Sequence, residues 1–269
     1  MVAMTPKTHD SWARRWAKRR RWFQGGFLLI WLDPLLLRWH HICAPVLHCH
    51  SCPLATFACP IGVVAGFGAL HLVPFFALGI LLVVGGLVGN LVCGWACPFG
   101  WLQDTAARVP LPKFRLPAWT GWGRFLVLGL FVLAIPMACG EQHPLYFCRL
   151  CPVGALEGAT PHMLGSLQAG EPMLWPNPLK ITILLVVLVA MFLVHRPWCR
   201  VLCPLGAMLA VFNRFSLLLL RVRSDSCRDC GACENLCSYG ALNNGKIRHE
   251  SCIRCLDCIR CPAIRAECR

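Results

Sequence analysis

Charge is scarce in this chain. Only 14% of its 269 residues are Asp, Glu, Lys or Arg, against roughly 25% in a soluble domain. With 57% of the residues hydrophobic and a mean hydropathy of +0.58, an ordinary soluble globule is excluded. Several signatures are also missing. There is no Gly-x-Gly-x-x-Gly fingerprint after a strand, so built-in NAD or FAD binding is not expected. There is no Cys-x-x-Cys-His haem attachment sequence. No basic groove interleaved with aromatics is visible, which leaves nucleic acid a poor partner despite a net charge of +14. What the chain has in excess is cysteine: 20 residues, in short repeated spacings.

Four apolar runs read as membrane spans: Trp22 to Trp39, Val63 to Val92, Phe125 to Ala138 and Leu179 to Val194. Crossing ~30 Å of hydrocarbon takes ~20 residues, so the third and fourth runs need their flanks, with Trp119, Trp122, Trp175 and Trp198 as interfacial aromatics. The second is too long for one straight helix and splits near Pro74, into a short segment dipping from the loop and a span ending at Asn90. Lys and Arg gather before the first span (Lys7 to Arg21), between the second and third (Arg108, Lys113, Arg115, Arg124) and from Arg196 onward. Residues 38–62 and 139–177 carry only Arg38 and Arg149. The positive-inside rule then sets both termini in the cytoplasm and these two loops outside, in a multi-pass cytoplasmic membrane protein. Arg20-Arg21 before an apolar run is faintly like a twin-arginine export signal, but no small-residue cleavage site follows, and an uncleaved first span is preferred.

At the carboxy terminus, Cys227-x2-Cys230-x2-Cys233-x3-Cys237 precedes Cys252-x2-Cys255-x2-Cys258-x2-Cys261-Pro262. Three thiolates at this spacing wrap one face of a cubane, and the fourth of each run ligates the other cluster. Cluster one is assigned to Cys227, Cys230, Cys233 and Cys261, and cluster two to Cys252, Cys255, Cys258 and Cys237. The tail resembles the bacterial two-[4Fe-4S] ferredoxin module, with two departures: two residues rather than three before Cys261, and Ser238 where the pattern has proline. A pair of structural zinc sites is the alternative. Reduced cytoplasmic thiols disfavour disulfides here.

Cys-Pro-x-Gly occurs four times, beginning at Cys59, Cys97, Cys151 and Cys203. So regular a repeat reads as duplicated architecture. The inner copies extend to Cys93-x3-Cys97-Pro98 and Cys199-x3-Cys203-Pro204; proline there suits the first position of a helix and puts the preceding sulfur at its amino terminus. Together they supply four ligands for one further cluster, or else pack as small apolar residues. Outside, Cys52, Cys59, Cys148 and Cys151 make a second four-cysteine set drawn from both halves. Cys43, Cys49 and Cys139, with His48 or His50, make a further candidate site, and His40, His41 and His143 lie in the same loops. Disulfides or free thiols are the alternative for these outer cysteines. Cys268 is unassigned.

The chain thus divides into a basic amino terminus (1–21), two membrane halves (22–110 and 111–220) and a tail (221–269). The fold class is an all-α polytopic membrane protein of four transmembrane helices in two pseudo-repeated halves, plus a small α+β two-[4Fe-4S] ferredoxin domain. With the paired Cys-x3-Cys-Pro motifs and the two-cluster tail, it resembles the NapH/MauN family of membrane polyferredoxins over nearly all of residues 20 to 262, and more distantly the NosR-type and CcoG/RdxA proteins. That resemblance implies electron exchange between the quinone pool and partner redox subunits of cytochrome or ferredoxin type, within a quinol dehydrogenase complex. The outer cysteine set departs from the family pattern and points to extra clusters. Asp33, His71, Asn90 and Gln103, polar residues near the spans, are candidates for a quinone or proton site. Two other readings stay open: a copper reductase of CcoG type using the outer His/Cys loop, and a non-enzymatic metal-binding or redox-sensing membrane protein.

Overall fold

The computed structural model describes residues 15–17, 19–27, 59–156, 177–223, 227, 230–243 and 245–268. Most of the first expected span lies outside these, as do Asp33, Cys43, His48, Cys49, His50 and Cys52.

The described chain is mostly helical. Residues 19–27 form a helix whose Gln24 is buried and donates through Nε2 to the Gly94 carbonyl at 2.8 Å. The long second run breaks in two, α1 (Pro60–Ala69) and α2 (Phe75–Val88). The break falls at 70–74, where Pro74 lacks the N–H that would continue the helix. Gly89 ends α2 at φ +54, a conformation L side chains avoid; a Cβ there would also lie 2.4 Å from Asn213 Oδ1. The short α3 (Leu91–Trp95) and α4 (Pro98–Ala106) follow.

Helix α5 (Trp119–Cys139) is 21 residues long and, among the described residues, the one helix long and apolar enough to cross a bilayer; at 1.5 Å per residue it spans ~31 Å. It takes in the expected Phe125–Ala138 run and its tryptophan flank. Its middle, Leu128–Ala134, widens into a π-helical stretch just before Pro136. Pro136 cannot donate to the preceding turn and its ring crowds the carbonyl four residues back, and the extra residue of a π turn relieves that clash. Two short helical turns, Phe147–Leu150 and Pro152–Gly154, lead toward α6 (Pro178–Leu193), whose Asn177 cap accepts from the Leu179 N–H at 2.9 Å. A π turn at Trp198–Leu202 precedes α7 (Pro204–Phe212).

Helices from residues 22–110 and 111–220 pack against each other. α7 packs on α2 and on the start of α5, while α4 packs on α6. Their shared core includes Ile61, Phe99, Val132, Val187, Met191 and Leu209, and the cysteines of the Cys-Pro-x-Gly repeats border it. Phe75, Leu82, Leu126, Leu130, Leu185 and Val189, on α2, α5 and α6, are all exposed, an apolar surface that calls for a partner or a lipid surrounding.

The tail has its own small core of Leu220, Leu242, Ile259, Ile264 and Ala266 with Cys233 and Cys258. β1 (Leu218–Val222) pairs antiparallel with the final strand, Ile264–Cys268, with Leu220 opposite Ala266. Between them lie a short helix at Ala232–Leu236 and the hairpin Leu242–Asn243/Lys246–Ile247.

Candidate metal centres

The inner cysteines converge. Cys93 on α3, Cys97 and Cys203 capping α4 and α7, and Cys199 in the π turn all line one pocket. The two halves reach it with the same local geometry: Cys97 sits at φ −70, ψ 112 and Cys203 at φ −72, ψ 111, each followed by proline at the first helical position. The glycine of each motif has a steric reason. A Cβ on Gly100 would stand 3.2 Å from the Cys93 carbonyl, and one on Gly206 3.3 Å from the Cys199 carbonyl, so glycine lets each new helix fold tightly back over its first cysteine. Two sulfurs already accept hydrogen bonds, Cys97 Sγ from the Gly100 N–H at 3.3 Å and Cys199 Sγ from Gln103 Nε2 at 3.1 Å. N–H donors aimed at sulfur are one of the levers by which proteins set iron-sulfur potentials.

The tail brings together a second set: Cys237, Cys252, Cys255 and Cys258 line one pocket with Leu220, Tyr239 and Leu256. Backbone N–H groups of Ala241 and Arg254 donate to Cys237 Sγ and Cys252 Sγ at 3.3 and 3.4 Å. Burial pushes the Cys252 thiol up to about 11 and raises Cys255 and Cys258 as well, so at neutral pH it takes a bound cation to draw thiolates from them. Of the remaining tail cysteines, Cys233 is buried with Cys261 and Cys227 as electrostatic neighbours, and Cys230 is exposed. Among the described residues no three His, Cys, Asp or Glu side chains close on a single metal ion.

The two pockets are neighbours. Ile253, between Cys252 and Arg254, lines both. Gly94 makes this approach feasible, since a Cβ there would lie 2.4 Å from the Ile253 carbonyl oxygen. Three side chains then lock the tail in place. Asn213, fully buried, donates through Nδ2 to the carbonyls of His249 and Cys252 at 2.7 and 2.6 Å and accepts from the Asn90 N–H. Trp95 Nε1 donates to the Arg254 carbonyl at 3.1 Å. Arg254, 2% exposed, reaches the Val88 carbonyl at 3.0 Å and the Asn213 carbonyl at 2.7 Å, at the carboxy-terminal ends of α2 and α7 where the helix dipoles favour a cation.

A charged hub joins all four segments. Asp104 on α4 receives Arg196 through Nε at 2.7 Å and Nη2 at 2.6 Å, Arg20 Nη2 at 3.2 Å and the Tyr239 hydroxyl at 2.9 Å. Arg196 also donates to the Cys93 carbonyl at 2.8 Å, fixing a cysteine of the inner pocket. Burial works to raise the Asp104 pKa, but the charge and hydrogen bonds of Arg196, with Arg20, hold it below the ordinary carboxylate value.

Of the cysteines expected outside, Cys59 caps α1, Cys151 caps the Pro152–Gly154 turn, and Tyr146 is buried with Cys148 and Cys59 acting on its hydroxyl. Cysteines from both halves therefore meet there; Cys52, the fourth of that set, lies outside the described residues, and Cys139 is exposed at the end of α5. This group is close to the inner pocket. Val153 of the Cys151 motif lines that pocket, and the Phe147 ring stacks on Trp198, next to Cys199, at 6.3 Å.

The expected quinone set is not brought together. His71 is exposed in the turn before α2, ~21 Å along that helix from Asn90. Asn90 and Gln103 are committed to internal bonds, Asn90 Nδ2 to the Cys252 carbonyl and Gln103 Oε1 to the Trp198 N–H. What sequence reasoning missed is the set of buried cations. Arg124 and Arg196 read as topological flanks, yet they are 4% and 1% exposed.

The profile of a family described as 4Fe-4S binding domain matches twice, at residues 70–117 and 176–223. These segments begin 106 residues apart, the interval between Cys93 and Cys199, so both matches fall on the inner cysteine pairs rather than on the tail. Among curated relatives, an uncharacterized protein of Methanocaldococcus jannaschii is 27% identical over 67% of this chain and 72% of its own length. The methylamine utilization ferredoxin-type protein MauN of Paracoccus denitrificans is 37% identical over 66% of this chain and 56% of its own. The regulatory protein NosR of Stutzerimonas stutzeri is 30% identical over 72% of this chain, which spans 26% of NosR. No solved structure matches. The chain is thus similar to the ferredoxin-type protein MauN and to NosR, and it carries the 4Fe-4S binding domain match in two places.

Proposed function

We propose that this protein is a four-span subunit of the cytoplasmic membrane that exchanges electrons between the quinone pool and a partner redox protein, with both termini in the cytoplasm. One cluster is held by Cys93, Cys97, Cys199 and Cys203, two in the tail by Cys237, Cys252, Cys255 and Cys258 and by Cys227, Cys230, Cys233 and Cys261, and an outer one by Cys52, Cys59, Cys148 and Cys151. When bound, [4Fe-4S] clusters supply reversible one-electron transfer; the chain supplies placement and tuning.

The observation that carries this reading is the shared wall: one side chain, Ile253, borders both the inner and the tail pocket. Four thiols line each of these largely apolar pockets, no three of them close on a single metal ion among the described residues, and Gln103, Gly100, Ala241 and Arg254 already present N–H donors to the sulfurs. The Phe147–Trp198 stack joins the residue before Cys148 to the residue before Cys199. The exposed apolar band around α2, α5 and α6 supports a lipid setting, where quinones dissolve.

The test is anaerobic titration of cluster-replete protein in nanodiscs with a short-chain quinol or quinone, followed by visible absorbance. Electron exchange in the wild type, abolished in Cys199→Ser, is expected. No exchange with any quinone or quinol overturns the reading.

A further inference from the structure

The inner pocket contains a cation with no carboxylate in ion-pair contact among the described residues. Arg124, near the start of α5, is 4% exposed and lines the pocket with all four inner cysteines. Its Nη2 donates to the Glu250 carbonyl of the tail, but its buried Nε–H has no partner among the described residues. Its guanidinium carbon lies 5.1 Å from the Phe125 ring centroid and Glu250 acts on it from farther off, but no carboxylate among the described residues lies within ion-pair distance, whereas the neighbouring Arg196 is satisfied by Asp104. A guanidinium kept charged in so dry a place calls for an anion. The pocket it lines offers one: four thiolates around a group that becomes more negative on reduction.

We propose that Arg124 is the fixed counter-charge of the inner iron-sulfur site, a positioning and tuning residue that raises its reduction potential. The inference rests on the reading of Cys93, Cys97, Cys199 and Cys203 as ligands. Reduction there takes one electron from an external donor and no proton, so the added negative charge must be met by the surroundings. Arg124 meets it from within a low-dielectric wall, stabilising the reduced form more than the oxidised one. It also explains why a charged residue is buried at the mouth of an otherwise apolar helix.

Full-length protein, purified anaerobically, would be titrated with dithionite and mediators and followed by EPR, the inner signal being the one lost in Cys199→Ser. Arg124→Gln should keep its iron and lower the inner midpoint by at least the equivalent of a tenfold loss in reduced-state stability, about 59 mV for one electron. Arg124→Lys, which keeps the charge but not the Nε–H, should fall by less than half as much, and the tail signals should stay put in both. An unchanged midpoint in iron-replete Arg124→Gln, equal shifts in the two variants, or loss of inner iron from both would overturn the proposal, the last by making Arg124 purely structural. Cys199→Ser that retains all its iron overturns the ligand assignment instead, independently of Arg124.

Discussion

Replacing Asp104 by asparagine removes one negative charge from between two buried guanidinium groups and should loosen the contact of α4 with Arg20, Arg196 and the tail. The Arg196 side chain is 1% exposed and that of Asp104 13%, so solvent screens the pair little. Charges ~4 Å apart at an effective dielectric constant of ~20 attract by ~4 kcal/mol, and removing one partner of a buried pair typically costs ~3–5 kcal/mol. Asparagine keeps an acceptor for one N–H or for Tyr239, which returns ~1 kcal/mol. The net, ~3 kcal/mol, is about a hundredfold in the folding equilibrium. For a chain of this size that corresponds to a fall of roughly 6–12 °C in Tm, read by near-UV circular dichroism of the detergent-solubilised protein. Tyr239→Phe, losing one hydrogen bond at 2.9 Å, should cost ~1 kcal/mol. The pH dependence has a definite sign. Because Asp104 titrates below the ordinary value, its stabilisation is complete above ~3.9 and drains away as pH falls through the lower folded-state value; Asp104→Asn should lack that part of the acid limb. A Tm within 2 °C of wild type, or a Tyr239→Phe loss as large as that of Asp104→Asn, would refute the hub.

Three further outcomes follow from the contacts. Gly94→Ala places a Cβ 2.4 Å from the Ile253 carbonyl and should displace the tail, seen as faster hydrogen exchange over residues 249–256 with tail iron retained; unchanged exchange would mean the tail does not dock there. Gly206→Ala, with its nearest neighbour at 3.3 Å, should be much milder, and a Gly206 defect matching that of Gly94 would contradict the steric argument. Asn213→Ala strips two donors from the His249 and Cys252 carbonyls and should lower stability by ~3 kcal/mol; a thermal shift under 2 °C would show those carbonyls to be satisfied otherwise.

Spacing made two of the cysteine groupings legible: Cys93, Cys97, Cys199 and Cys203 line one pocket, and Cys237, Cys252, Cys255 and Cys258 another. The split of the second apolar run was legible from Pro74 alone, and the helix caps at Cys97 and Cys203 from the prolines that follow them. The docking of the tail was not. Arg254 sits in a Cys-x-x-Cys interval where any residue fits the pattern, and its role exists only because α2 and α7 end together beneath it. Arg124 and Arg196 carried a signal that pointed elsewhere: flanking charge obeys the positive-inside rule whether or not the side chain is buried. Asn90 and Gln103 were singled out as polar residues near spans, and polarity there does serve a purpose, but an internal one at the inner pocket and the tail contact.

A cluster on the inner cysteine pairs beside the tail would add iron and sulfide to what the tail holds. Iron and acid-labile sulfide per chain, measured on anaerobically purified wild type and Cys199→Ser together with EPR of the reduced forms, test it most directly. About twelve irons or more are expected in the wild type, about four fewer in Cys199→Ser, with the tail signals intact. About eight irons in both, with identical spectra, would contradict it.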